Sequence, residues 1–154
     1  MNANDAMPSR MLGVDFGAQR IGVAVSEGRI AVPLTIVEHE NREQDLERVA
    51  VIARERDVAA VVVGMPMLES GEEGEQARRT RRFGEALARR LDVPVVYQDE
   101  RYSSVRAEAA MADADAARGR ATQRGAKRGI DDAAAAVILQ AYIDAAAAHE
   151  TGVR

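Results

Sequence analysis

The chain has 154 residues, 47% hydrophobic and 30% charged, with a formal net charge of -4, enough for one compact domain with its own core. It contains no cysteine, which excludes a disulfide framework and a thiolate metal site and makes the cytoplasm the expected compartment. The opening MNANDAMPSR has no apolar core and no apolar run reaches the roughly 18 residues of a membrane span, while the acidic balance leaves any anionic partner to a local basic patch.

MLGVDFGAQRIGVAVS, residues 11–26, reads as two strands around the turn Gly17-Ala18-Gln19-Arg20. Alternation puts Leu12, Val14 and Phe16 on one face and Met11, Gly13 and Asp15 on the other. AVPLTIVEH (31–39) reads as a third strand. Asn41 followed by Gln44 resembles a capping box, opening a helix with Leu46, Val49, Ile52 and Ala53 on one face and its end near Asp57. AAVVVGMP is a continuous apolar run of the kind found in buried parallel strands. After the loop LESGEEGEQ, a second helix turns Ala77, Thr80, Phe83, Leu87 and Leu91 to the core.

VPVVYQDE (93–100) is the expected fifth strand, and Ser103 or Ser104 is placed to cap a short helix running to about Ala112. The stretch at about 113–128 loses apolar periodicity, and Arg118, Arg120, Arg124, Lys127 and Arg128 follow Asp115 with no further acid; a mobile basic loop is expected. IDDAAAAVILQAYIDAAAA, from Ile130, is apolar nearly all round and reads as a largely buried helix. Residues 1–10 and 149–154 are expected to be tails of a single domain spanning 11–148. Three strands followed by alternating strands and helices imply an α/β fold, a mixed five-stranded sheet flanked by helices.

Three acids stand where a core prefers apolar residues: Asp15 in the first strand, Glu100 at the end of the fifth, and Asp131 or Asp132 opening the last helix. Singly, each has a structural explanation: an Asx turn for Asp15, a pair with Arg101 for Glu100, helix-dipole complementarity for the last. Together, gathered at the carboxyl ends of strands, they repel one another unless a cation compensates them. Oxygen ligands suit Mg²⁺ or Mn²⁺, and His39 and His149 are too isolated for a zinc site. Carboxylate-held Mg²⁺ suits phosphodiester hydrolysis, with the basic loop tracking a nucleic-acid backbone.

VDFGAQRIGVAV, VVVGMP, DERYSS and GIDDAAAAVILQAY, in this order from Met11 to about Asp144, resemble the YqgF/RuvX family of bacterial proteins. The resemblance implies an RNase H-like fold and a metal-dependent nuclease that processes the 5′ end of pre-16S rRNA during ribosome biogenesis, or alternatively a Holliday junction resolvase acting on branched DNA. It carries the family's acids onto Asp15, Glu100 and Asp131 as catalytic, metal-binding residues, and leaves Asp132 as a helix-start residue or a fourth ligand. Arg20, Arg101, Arg118, Arg120, Arg124, Lys127 and Arg128 are then the expected nucleic-acid contacts, with pre-ribosomal particles as possible partners and no membrane involvement. Trimming an RNA end needs a monomer, whereas symmetric junction cutting calls for a homodimer. Ala18 and Gln19 depart from the Thr and Lys usual in the family, and Leu68 and Ser70 from its Asn and Asp. An ATP-binding lobe and a non-catalytic RNA-binding assembly factor are the competing classes.

Overall fold

The computed structural model describes the backbone of residues 9–101 and 123–152, and side chains over 9–101 and 133–149. In chain order these form β1 (Met11–Phe16), β2 (Arg20–Glu27), β3 (Ile30–Glu38), α1 (Arg42–Glu55), β4 (Ala60–Met65), α2 (Glu75–Arg90), β5 (Val95–Asp99) and α3 (Gln123–Gly152). The sheet has the order β3-β2-β1-β4-β5. β1 pairs antiparallel with β2, and β2 with β3, while β4 lies parallel to both β1 and β5. This is the expected mixed sheet: hairpins join the first three strands, and helical crossovers are needed for the parallel ones.

Alternation along β1 divides the core. Leu12 and Val14 pack with Leu46 and Val49 of α1 and Phe83 and Leu87 of α2. Met11 lies on the other face, against the layer formed by Ala135, Ile138, Leu139 and Ile143 of α3. Strands β1 and β4, covered on both faces, are apolar almost throughout for this reason. At α1, Asn41 Oδ1 accepts from the Gln44 backbone N–H at 2.9 Å, so the expected cap forms. The chain leaves that helix through Asp57, at φ 52°.

Gly13 marks the closest approach of α3 to the sheet. A Cβ there would stand 2.7 Å from Leu139 Cβ and 2.9 Å from the Ala135 carbonyl oxygen. Backbone cannot yield as a side-chain tip does, so Gly13→Ala should push the helix outward. The expected loss is about 1–3 kcal/mol, read as a lower Tm in thermal melts.

The final helix departs from the sequence expectation at both ends. It begins at Gln123 rather than Ile130, so Arg124, Lys127 and Arg128, expected in a mobile loop, lie on helical backbone. Gln, Arg, Ala and Lys are strong helix formers, and Gly125 and Gly129 do not outweigh them within a long helix. At the other end the helix continues through His149 to Gly152, because no breaker precedes that glycine. After β5 the backbone is already helical at Glu100 and Arg101, where Asp99 Oδ1 accepts from the Arg101 N–H at 2.9 Å; Ser103 and Ser104, the expected caps, lie outside the described residues. The rest of the helix expected up to Ala112, like Arg118 and Arg120, lies outside the described residues.

Candidate active site

Asp15 is the penultimate residue of β1, opposite Gly22 of β2, and Glu100 follows β5 directly. Strand β4 separates them, and the residue between is Gly64, next to Gln98 on β5. A Cβ at Gly64 would stand 2.6 Å from Glu100 Oε1 and 2.5 Å from Ile138 Cδ1. The missing side chain is thus the space into which Glu100 folds, and there its carboxyl meets that of Asp15 in a hydrogen bond.

Burial, then the charge and hydrogen bond of Asp15, then the charge of Asp99 push the Glu100 carboxyl up to about 8. Two carboxyls at one partly buried point cannot both ionise cheaply, so they share a proton. A cation would replace that proton. The donor set consists of carboxylate oxygens only, which fits a hard divalent ion such as Mg²⁺ or Mn²⁺. Among the described residues no group of three or more His, Cys, Asp or Glu side chains gathers, so the described donors are these two.

Asp131 lies on α3, one turn before Ala135, whose carbonyl oxygen faces Gly13. Gln140, further along the helix, bonds the Arg29 carbonyl and the Ala31 N–H at the β2–β3 turn. The N-terminal part of α3 is therefore directed to the end of the sheet that carries Asp15. The side chains of Asp131 and Asp132, and those of Arg124, Lys127 and Arg128, lie outside the described residues.

Side chains on the opposite face hold the end of β1 in place. Gln76 Nε2 donates to the Phe16 carbonyl at 3.0 Å, and His39 Nε2 lies 2.9 Å from the Gly17 carbonyl. His39 Nδ1 lies 2.8 Å from Asp45 Oδ2, and Asp45 Oδ1 accepts from the Glu40 N–H at 3.0 Å. Both partners of the ring are acceptors, so both nitrogens must carry protons, and the imidazolium is favoured. Burial pulls the His39 pKa down, but the Gly17 carbonyl, then the Asp45 hydrogen bond and charge and the Glu38 charge, more than offset it and leave it raised above 6.5.

Because this pKa is higher folded than unfolded, the stabilisation is complete below 6.5 and is lost as pH rises through the folded value. In a Glu100→Gln background, Tm should decline above neutral pH, and adding His39→Gln should remove that decline. The sequence offered one clue to this unit. Asp45 is an acid at an otherwise apolar position of α1, beside Leu46 and Val49, and it is almost fully buried.

The expected arginines divide. Arg101 is engaged by Asp99, with Nε at 2.9 Å and Nη2 at 2.6 Å from Oδ2, and this pairing holds the Asp99 carboxyl below its usual range. Arg101 stands in the helical turn that Asp99 opens, and its guanidinium folds back onto that carboxylate. Arg20 opens β2 opposite Glu38, at the same end of the sheet as Asp15. Three arginines not singled out from sequence, Arg42, Arg79 and Arg82, line a cavity of about 300 Å³ beside Phe16 and His39.

The profile of the RuvX family, described as Holliday junction resolvase, matches residues 9–145. A protein of Anaeromyxobacter sp. named "Putative pre-16S rRNA nuclease" is 43% identical over 141 residues, covering 88% of this chain and 96% of that protein. The protein of the same name from Chloroflexus aggregans is 42% identical over 137 residues, covering 88% and 93%. Among solved structures, T. thermophilus RuvC in complex with Holliday junction substrate superposes with a TM-score of 0.61 at 18% identity, covering 95% of this chain and 98% of that one. The fowlpox virus resolvase in complex with Holliday junction DNA gives 0.55 at 9% identity, covering 88% and 97%. At these identities the structural likeness establishes the fold, which is RNase H-like.

Proposed function

The chain belongs to the RuvX family, and from that premise we propose that it is a divalent-metal-dependent endonuclease that trims the 5′ end of precursor 16S rRNA in the cytoplasm, in pre-ribosomal particles. The observation that carries this reading is the contact of Asp15 with Glu100 in the space left by Gly64. Asp15 and Glu100, joined by Asp131 from α3, would hold Mg²⁺ or Mn²⁺ and serve as the catalytic residues. When bound, such an ion supplies an activated water and compensates the departing oxyanion. Asp15 is held by the hydrogen bonds of Gln76 and His39 to the next two carbonyls, which fixes the centre against the sheet. Arg20, and the basic residues Arg118, Arg120, Arg124, Lys127 and Arg128, would hold substrate phosphates. Arg101 contributes by keeping Asp99 paired.

The family description supports a second reading, resolution of Holliday junctions. One experiment separates the two: purified protein is incubated with RNA spanning the 5′ end of 16S rRNA and, in parallel, with a four-way DNA junction, each with Mg²⁺, Mn²⁺ or EDTA. The proposal expects RNA cleavage that EDTA abolishes. Cutting of the junction alone would favour the resolvase, and persistent RNA binding without cleavage of either substrate would favour a non-catalytic assembly factor. Trimming one RNA end requires a single copy of the site, so activity should track a monomer in solution.

A further inference from the structure

The cavity between α1, α2 and the β1–β2 turn contains neither Asp15 nor Glu100. It lies on the other face of the sheet. Asp15 and Phe16 are consecutive strand residues, so their side chains leave β1 in opposite directions: Asp15 meets Glu100, whereas Phe16 stacks on Phe83 with ring centroids 4.4 Å apart and forms one wall of the cavity. Phe83 is buried, and Arg42, Arg79 and Arg82 are exposed around it. The volume, about 300 Å³, is at the lower end for small-ligand pockets, which suits a phosphate with part of its sugar.

Of the other arginines of α1 and α2, Arg48, Arg54, Arg81 and Arg90 each pair with a glutamate, whereas Arg78 and Arg89, outside the cavity, make no ion pair among the described residues. Arg42, Arg79 and Arg82 have no carboxylate partner among the described residues. The acid lining the cavity is Asp45, and both of its oxygens are committed, one to His39 and one to the Glu40 N–H. Three guanidiniums lining one concavity beside the His39 ring give it a local positive potential in a chain of net charge -4, the kind of patch that attracts an anion. Guanidinium groups favour phosphate, which they bind in bidentate fashion.

We propose that this cavity is a second substrate contact, in which Arg79, Arg82 and Arg42 hold a backbone phosphate of the polynucleotide strand as it passes around the β1–β2 turn from the carboxylate face. The inference rests on the reading of the substrate as nucleic acid. It places the grip outside the residues 113–128 and outside Arg20, and it connects grip to chemistry through two carbonyls: His39 and Gln76, which line the cavity, hold Gly17 and Phe16, next to Asp15.

The test is binding of fluorescein-labelled RNA spanning the 5′ end of 16S rRNA, followed by anisotropy in EDTA over a range of salt concentrations. Arg79→Gln/Arg82→Gln should weaken binding about tenfold and make the plot of log K against log salt shallower by about 0.7–0.9, the loss expected for one phosphate. Arg29→Gln/Arg56→Gln removes the same charge away from the cavity and should leave the slope unchanged. Unchanged affinity and slope in the cavity variant, or equal losses in both, would overturn the proposal while wild-type cleavage of the RNA still upheld the nuclease reading. Absence of RNA binding and cleavage in the wild type would overturn both. Inorganic phosphate supplies a further arm: a rise in Tm that the cavity variant loses, with RNA binding intact in that variant, would identify a small-anion site and overturn the polynucleotide assignment.

Discussion

Asp15→Asn should reduce metal-dependent cleavage by about a thousandfold or more, the scale of losing an electrostatic group at a reacting centre, and at the same time should make the metal-free protein more stable at pH 8. The second effect follows from the pair. Glu100 titrates at about 8 when folded against an ordinary value of 4.5. A carboxyl with a raised folded pKa contributes fully below its unfolded value, and that contribution is lost as pH rises through the folded one. Stability of the metal-free protein should therefore fall from about pH 4.5 to about pH 8. Asparagine at position 15 removes the like charge and can donate to the Glu100 carboxylate, lowering its pKa. Each pKa unit recovered is worth about 1.4 kcal/mol, or about 3–6 °C in Tm for a domain of this size. Thermal melts at pH 5 and pH 8 in EDTA check this. A variant that loses activity and also loses stability at both pH values would point to a structural role for Asp15.

Gly64→Ala should cost about a hundredfold in cleavage with only a modest loss of stability. The added methyl would collide with Glu100 Oε1 and Ile138 Cδ1, both tips of side chains that can rotate away, so the loss should fall at the low end of the about 1–3 kcal/mol typical of overpacking and below that of Gly13→Ala. Glu100 cannot rotate away and still meet Asp15. Displacing a catalytic group by about an ångström is enough for a hundredfold effect. Gly13→Ala provides the contrast, because its obstacles are Leu139 Cβ and a carbonyl of α3: Tm should fall there, while any carboxylate effect is secondary. Cleavage rates normalised to folded protein by circular dichroism distinguish the two. Equal losses of rate and stability in both variants would contradict the assignment of the Gly64 gap to Glu100.

The sheet was legible in the sequence because period-two alternation in β1 and β2 and the continuous apolar run of β4 are direct consequences of which faces are covered. The Asn41 cap was legible for the same local reason. Asp15 and Glu100 were legible as misfits, acids at strand positions, but their meeting depends on Gly64, which sequence presents only as the end of an apolar run. The start of α3 was misread because Gln123 to Arg128 has helical propensity without apolar periodicity, and propensity alone rarely marks a boundary. His39 and the Arg42, Arg79 and Arg82 cavity were missed because their elements are distant in sequence and meet only when α1 and α2 pack side by side. Arg101 looked available beside Glu100, yet the helical turn after β5 folds its guanidinium back onto Asp99.

The central claim is that Asp15 and Glu100 form one divalent-cation site, and calorimetric titration of Mn²⁺ into the wild type, Asp15→Asn and Glu100→Gln at pH 7 tests it most directly. Saturable binding in the wild type that is lost in both variants, each still folded, is the predicted result. Absence of binding, or equal binding in all three proteins, would contradict it.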